Sequence, residues 1–168
     1  MNVVVRPQGR EALVDWGKGP RRAAIGRAGI GVKQSEGDGI TPVGTFALRR
    51  VLYRPDRHRA PSTKLAHRAL EPDDGWCDAP AHPAYNRPIK MPFDASHEPL
   101  WRDDHLYDLI AVLGFNDDPV VPGKGSAIFL HVARADYGAT EGCIALAVDD
   151  LVELLAALAP GDTVTITL

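Results

Sequence analysis

The 168-residue chain predicts a mainly β domain, a β-sandwich or barrel carrying one amphipathic helix and one long proline-rich loop. Three observations lead there. Short β-branched and apolar segments recur between Gly, Pro and Asp, one stretch alone has helical periodicity, and Pro80, Pro83, Pro88, Pro92 and Pro99 crowd residues 74–101.

In chain order, the strand candidates are NVVV (2–5), EALVDW (11–16), RRAAIG (21–26), GTFALRRVLY (44–53), HLYDLIAVLG (105–114), SAIFLHVA (126–133) and DTVTITL (162–168). With a single helix among them, regular βαβ units are excluded. That helix spans VDDLVELLAALAPG (148–161). Leu151, Leu154, Leu155 and Leu158 fall at i, i+3, i+4 and i+7, acids occupy the first turn, and Pro-Gly ends it. Residues 74–101 read as irregular, because proline supplies no donor to a central strand. Trp76, Tyr85, Phe93 and Trp101 make this loop an ordered cover instead of a linker, since disordered segments are poor in aromatics.

The length suits a single domain, residues 1–168, with one sizeable core. A net charge of −3 argues against a nucleic-acid partner, and no apolar run reaches the roughly 20 residues of a membrane span. No export signal is visible, because MNVVVRPQGREALV lacks a basic region followed by a long apolar one. Cys77 and Cys143 make no disulfide framework. His58, His67, His82, His97, His105 and His131 are scattered without HxH or HExxH spacing, so neither a metal nor a cofactor is expected.

The chemistry concentrates in HVARADYGATEGC (131–143). A thiol is mostly protonated at neutral pH and needs a base or a positive neighbour to act as a nucleophile. His131 ends an apolar run and Cys143 precedes the helix, a strand-end and turn arrangement that can bring the two together. Twelve residues of separation leave the alternative open, a small buried thiol and a hydrogen-bonded core histidine. Gly142 lets a substrate approach the backbone closely, so amides there can face a developing oxyanion, or the glycine merely permits a tight turn. In WRDDH (101–105), Arg102 and His105 are either contacts to a carboxylate-rich ligand or a solvated strand entry. Residues 49–68 hold seven Lys/Arg against Asp56, an anion-attracting face or a solvated one.

His131 followed by Thr140-Glu141-Gly142-Cys143-Ile144 resembles the signature of the L,D-transpeptidase catalytic domain (YkuD) family. That signature is a histidine and then [Ser/Thr]-His-Gly-Cys-hydrophobic-[Arg/Asn]. The segment Thr41-Pro42-Val43-Gly44-Thr45-Phe46 is similar to the family's Thr-Pro-x-Gly-x-Phe, and the helix with PGDTVTITL resembles its usual ending. The resemblance implies an L,D-transpeptidase-type β fold in which Cys143 attacks a peptidoglycan stem peptide and forms a thioester that an amine of a second stem resolves. It implies His131 as general base and acid, Gly142 as part of the oxyanion hole, and Thr140, Glu141, Tyr137, His105 and Arg102 as substrate-binding residues. A periplasmic site, a monomer, and peptidoglycan stem peptides and glycan as partners follow from it. Stand-alone chains of this kind in proteobacteria are associated with 1,3-type crosslinks. Glu141 stands where the family usually has histidine, and Ala145 where it has Arg or Asn. Alternatives are an L,D-carboxypeptidase, endopeptidase or amidase-type hydrolase using the same residues, and a non-catalytic wall-binding module.

Overall fold

The computed structural model describes residues 1–168. Its elements in chain order are β1 (Asn2–Gln8), β2 (Glu11–Asp15), β3 (Arg21–Ala24), β4 (Ile30–Gly31), β5 (Thr41–Pro42), β6 (Gly44–Tyr53) and β7 (His67–Ala69). Then come β8 (Asp74–Cys77), β9 (Pro88–Lys90), β10 (His97–Pro99), β11 (Leu109–Leu113), β12 (Phe129–Val132), β13 (Ile144–Leu146), α1 (Val148–Ala157) and β14 (Thr163–Ile166). The main sheet runs β11-β12-β13-β3-β2-β1-β14-β6-β7, and β6 also pairs with β11. That second pairing closes the sheet into a barrel and leaves β7 as an extension beside β6, so few ladder edges stay open.

The barrel interior follows from strand alternation. Val3 and Val5 of β1, Ala12 and Val14 of β2, and Val164 and Ile166 of β14 point inward and are buried, with half-buried or exposed residues between them. Leu151, Leu154 and Leu155 of α1, and Leu158 just past its end, enter the same core. The helix stops at Ala157 and not at Gly161: Leu158 is already extended, at φ −77° and ψ 145°, although still buried.

The proline-rich segment departs from expectation. It is no irregular loop but carries a three-stranded antiparallel sheet in the order β10-β8-β9. Pro88 and Pro99 lie on its edge strands and the central strand Asp74–Cys77 has none, which reconciles prolines with a ladder. This small sheet covers the outer face of β6, β11 and β12. There Trp76 and Leu100 pack with Leu52, Ile110, Val112 and Phe129 in a second buried cluster. The short strands β4, β5, β7 and β13 also went unforeseen, being two or three residues long.

Candidate active site

β12 and β13 run parallel, with Leu130 opposite Ile144 and His131 opposite Ala145. Alternation sends Leu130, Val132, Ile144 and Leu146 into the barrel core, and turns Phe129, His131, Cys143 and Ala145 to the outer face, under the cover. Twelve residues of chain thus return His131 and Cys143 to neighbouring strands on one face. Both line a cavity of about 480 Å³ whose wall includes Arg102, Thr140, Glu141 and Ala145.

The Cys143 loop is held by the upstream motif. The Thr41 hydroxyl donates to the Gly142 carbonyl at 2.9 Å and accepts from the Gly26 amide at 2.8 Å, so TPVGTF serves here as the latch of a loop 101 residues away. Backbone bonds from Arg27 to Thr140 (2.8 Å) and from Thr140 to Ile25 (2.9 Å) stitch the other side. Gly142 adopts φ +139°, and a Cβ there would sit 2.9 Å from the Ile40 carbonyl oxygen, so both backbone angle and space require glycine. Its amide donates to the Thr140 hydroxyl at 3.1 Å, which in turn donates to the Cys143 carbonyl at 2.6 Å. The Gly142 N–H is therefore already engaged, whereas the Cys143 N–H has no acceptor among the turn and loop hydrogen bonds.

Cys143 is buried, its thiol included. It donates to the Ala127 carbonyl at 3.2 Å and accepts from the Phe129 amide at 3.4 Å, and not from or to His131. Burial pushes the thiol up to about 12, and the neighbouring Glu98 carboxyl pushes the same way. Burial pushes the His131 imidazole down to about 4. Nδ1 of His131 donates to the Val132 carbonyl at 2.9 Å, since a carbonyl can only accept, and this leaves the lone pair on Nε2. At neutral pH both groups are uncharged, an arrangement suited to proton transfer during attack and not to a standing ion pair.

The cover supplies groups that the sequence did not single out. Glu98 of β10 accepts from the Tyr107 hydroxyl, and burial raises its carboxyl above the usual range. Tyr107 stacks edge-on against His131, with ring centroids 5.2 Å apart. Asn86 accepts from Trp76 Nε1 and from the Ala127 amide, each at 3.0 Å, and donates to the carbonyls of Phe115 and Asn116. It thereby ties the cover to the residue whose carbonyl receives the thiol. An Asn in AYNRP signals only a turn, so no sequence signal marks this role.

The remaining expected residues divide. Arg102 lines the cavity but is held by Asp104 at 2.9 and 2.6 Å, and Glu141 by Arg27 at 3.0 Å. His105 is 76% exposed and pairs with Asp108, while Tyr137 lies outside the cavity wall under the Arg22 guanidinium, 4.1 Å from its ring centroid. In the basic stretch 49–68, Arg49, Arg54, Arg57 and Arg68 each pair with an aspartate. Cys77 and Cys143 are both free thiols. Glu71, Asp73 and Asp74 converge as oxygen donors, but Lys90 Nζ sits among all three and Arg68 pairs with Asp74, which offsets two of the three negative charges.

Comparison with known proteins agrees with the sequence motifs. Among curated proteins no match is found. In structure the chain is similar to L,D-transpeptidase 1 of Mycobacterium tuberculosis, with a TM-score of 0.43 and 13% identity over 98% of this chain and 59% of that one. The chain thus spans under two thirds of that protein's length. The YkuD description, L,D-transpeptidase catalytic domain, matches residues 3–166, nearly the whole chain, and the protein belongs to that family.

Proposed function

We propose that residues 1–168 act as one catalytic domain that crosslinks peptidoglycan stem peptides through a Cys143 thioester. The observation that carries this reading is the meeting of Cys143 and His131 on one face of paired strands, beside a cavity, in a chain of this family. On binding of a donor stem the thiol hydrogen turns from the Ala127 carbonyl to Nε2 of His131. As Sγ attacks the carbonyl carbon, His131 takes the thiol proton and the Cys143 N–H faces the oxyanion. Collapse breaks the C–N bond, and the imidazolium returns its proton to the departing amine. An acceptor amine then attacks the thioester, passes a proton to His131, and leaves the peptide bond while the thiol is reformed. The Gly142 amide, engaged by Thr140, shapes the loop in this scheme and does not contact the oxyanion. Cell-wall substrate places the work outside the cytoplasm, with a monomer sufficient for it.

Incubation with purified muropeptides tests the reading. Dimers and a mass increment on Cys143 are expected, with the donor residue in the product distinguishing 1,3 from 3,3 crosslinks. Cys143→Ala should lower turnover by at least roughly 10³-fold. Shortened monomers without dimers would replace crosslinking by hydrolysis of the same thioester. Neither product, with no Cys143 adduct, would sink the enzyme reading. The resting thiol, bonded to the Ala127 carbonyl and not to His131, favours a wall-binding module as second reading, and retained muropeptide binding without turnover would establish it.

A further inference from the structure

The walls of the cavity carry three Lys or Arg side chains, Lys33, Arg102 and Arg134. Lys33 is 3% exposed and is committed to Asp38 at 2.6 Å and to the Ile40 carbonyl. Arg102 is committed to both oxygens of Asp104. Arg134 alone makes neither an ion pair nor a side-chain hydrogen bond. Three of the four carboxyls on the same wall are also occupied. Glu36 accepts from Tyr85 and Ser126, Glu98 from Tyr107, and Glu141 from Arg27, while Asp78, also on the wall, has one carboxylate oxygen buried without a partner and makes no ion pair with Arg134. One guanidinium without an ion-pair partner therefore lines a cavity that also holds Cys143 and His131.

Its position is built, not incidental. The backbone at Arg134 is closed into a turn by the Tyr137 amide at 3.0 Å, two residues beyond the end of β12. The side-chain stem lies over Gly138, another wall residue. A Cβ at Gly138 would lie 3.1 Å from Arg134 Cδ and 3.2 Å from Asp136 Oδ1, so the bare glycine is the seat of the arginine. The guanidinium fork matches a carboxylate with two parallel hydrogen bonds.

We propose that Arg134 is the carboxylate anchor of this cavity, holding a free carboxylate of a stem peptide beside Cys143 and His131. This rests on the crosslinking function proposed above. The carboxylate belongs either to the donor or to the acceptor stem, and substrates amidated on one or the other separate the two. Thioester formation on Cys143, followed by mass spectrometry, reports the donor; dimer formation from a fixed donor reports the acceptor.

In one of these arms the protein is expected to favour the free carboxylate over its amide by roughly 10- to 100-fold in KM with kcat nearly unchanged. Arg134→Ala should bring the free acid to the level of the amide. Arg134→Lys, which keeps charge without the fork, should restore part of the preference. Gly138→Ala should weaken the free acid selectively by displacing the stem. An undiminished preference in Arg134→Ala, or an equal loss on acid and amide, would overturn the anchor. Calorimetry of Cys143→Ala protein with the free and amidated stem peptides reads the same preference without turnover. Preferential binding without product would sink the crosslinking function and leave the anchor, whereas product without preference would do the reverse.

Discussion

The strands of the barrel are of two kinds. β2, β14 and the first half of β1 alternate buried residues with half-buried or exposed ones, while β11, β12 and β13 are buried at every position. The difference lies in what stands outside them. Solvent faces the first group, and the small sheet β10-β8-β9 faces β11 and β12. On a wet strand a polar side chain needs no protein partner; on a doubly buried one it must find a hydrogen bond or surrender its charge. His131 and Cys143 are in the second position, and burial widens the pH range over which both stay neutral. The cover thus sets the protonation of the candidate site as well as stabilising the barrel.

The widest gap between the two kinds of strand should appear on truncation. Phe129 is fully buried on the outer face of β12, edge-on to Trp76 with centroids 5.2 Å apart, and its amide meets the Cys143 thiol. Phe129→Ala should cost about 3–5 kcal/mol in urea unfolding, from lost transfer energy and the cavity left behind. Arg6→Ala, on the wet side of β1, should change stability by less than about 0.5 kcal/mol. Similar costs for the two would abolish the distinction.

Acid should act on the covered half next. His131 is held neutral in the fold, with its imidazole pushed down to about 4 by burial, whereas the unfolded chain titrates near the ordinary 6.5. A depressed folded value means that the unfolded state takes up the proton first. Stability from this group is complete above about pH 6.5 and falls as pH drops towards 4, by about 3 kcal/mol across the window. His131→Gln should flatten that part of the pH-stability curve. A wild-type curve already flat between pH 6.5 and 4 would show that the imidazole is not sealed by the cover.

How much of this was legible in the sequence follows the same division. The wet strands announce themselves as short β-branched and apolar segments, NVVV and EALVDW among them. So does α1, through its leucine spacing. The covered strands read only as apolar runs, and what covers them was hidden, because Pro88 and Pro99 disguised edge strands as loop. For the site, Cys143 and His131 were legible from motif and chemistry. Asn86, Glu98 and Arg134 were not, because each matters through neighbours 29 or more residues away or through charges already spent elsewhere, as the Asn86 bond to Phe115 illustrates. Glu141 and Arg102 were picked out by sequence as ligand contacts, yet Arg27 and Asp104 hold them.

That last point yields the smallest effect. Glu141 stands two residues before Cys143, but its side chain is 75% exposed and its partner Arg27 is 53% exposed. Exposed pairs of this kind contribute about 0–1 kcal/mol, because water screens the charges and two long side chains must be ordered. Arg27 is moreover anchored independently by the Gly37 carbonyl at 2.7 Å, so removing Glu141 leaves no buried orphan. Glu141→Ala should therefore lower stability by less than about 1 kcal/mol, an effect that shrinks further in added salt. The Thr41 and Thr140 bonds hold the Cys143 loop without it, and the alkylation profile of Cys143 against pH should keep its alkaline position. A loss of several kcal/mol, or an alkylation profile moved towards neutrality, would mean that Glu141 reaches the covered site after all, and the boundary between the solvent-facing and the covered residues would have to be drawn outside it.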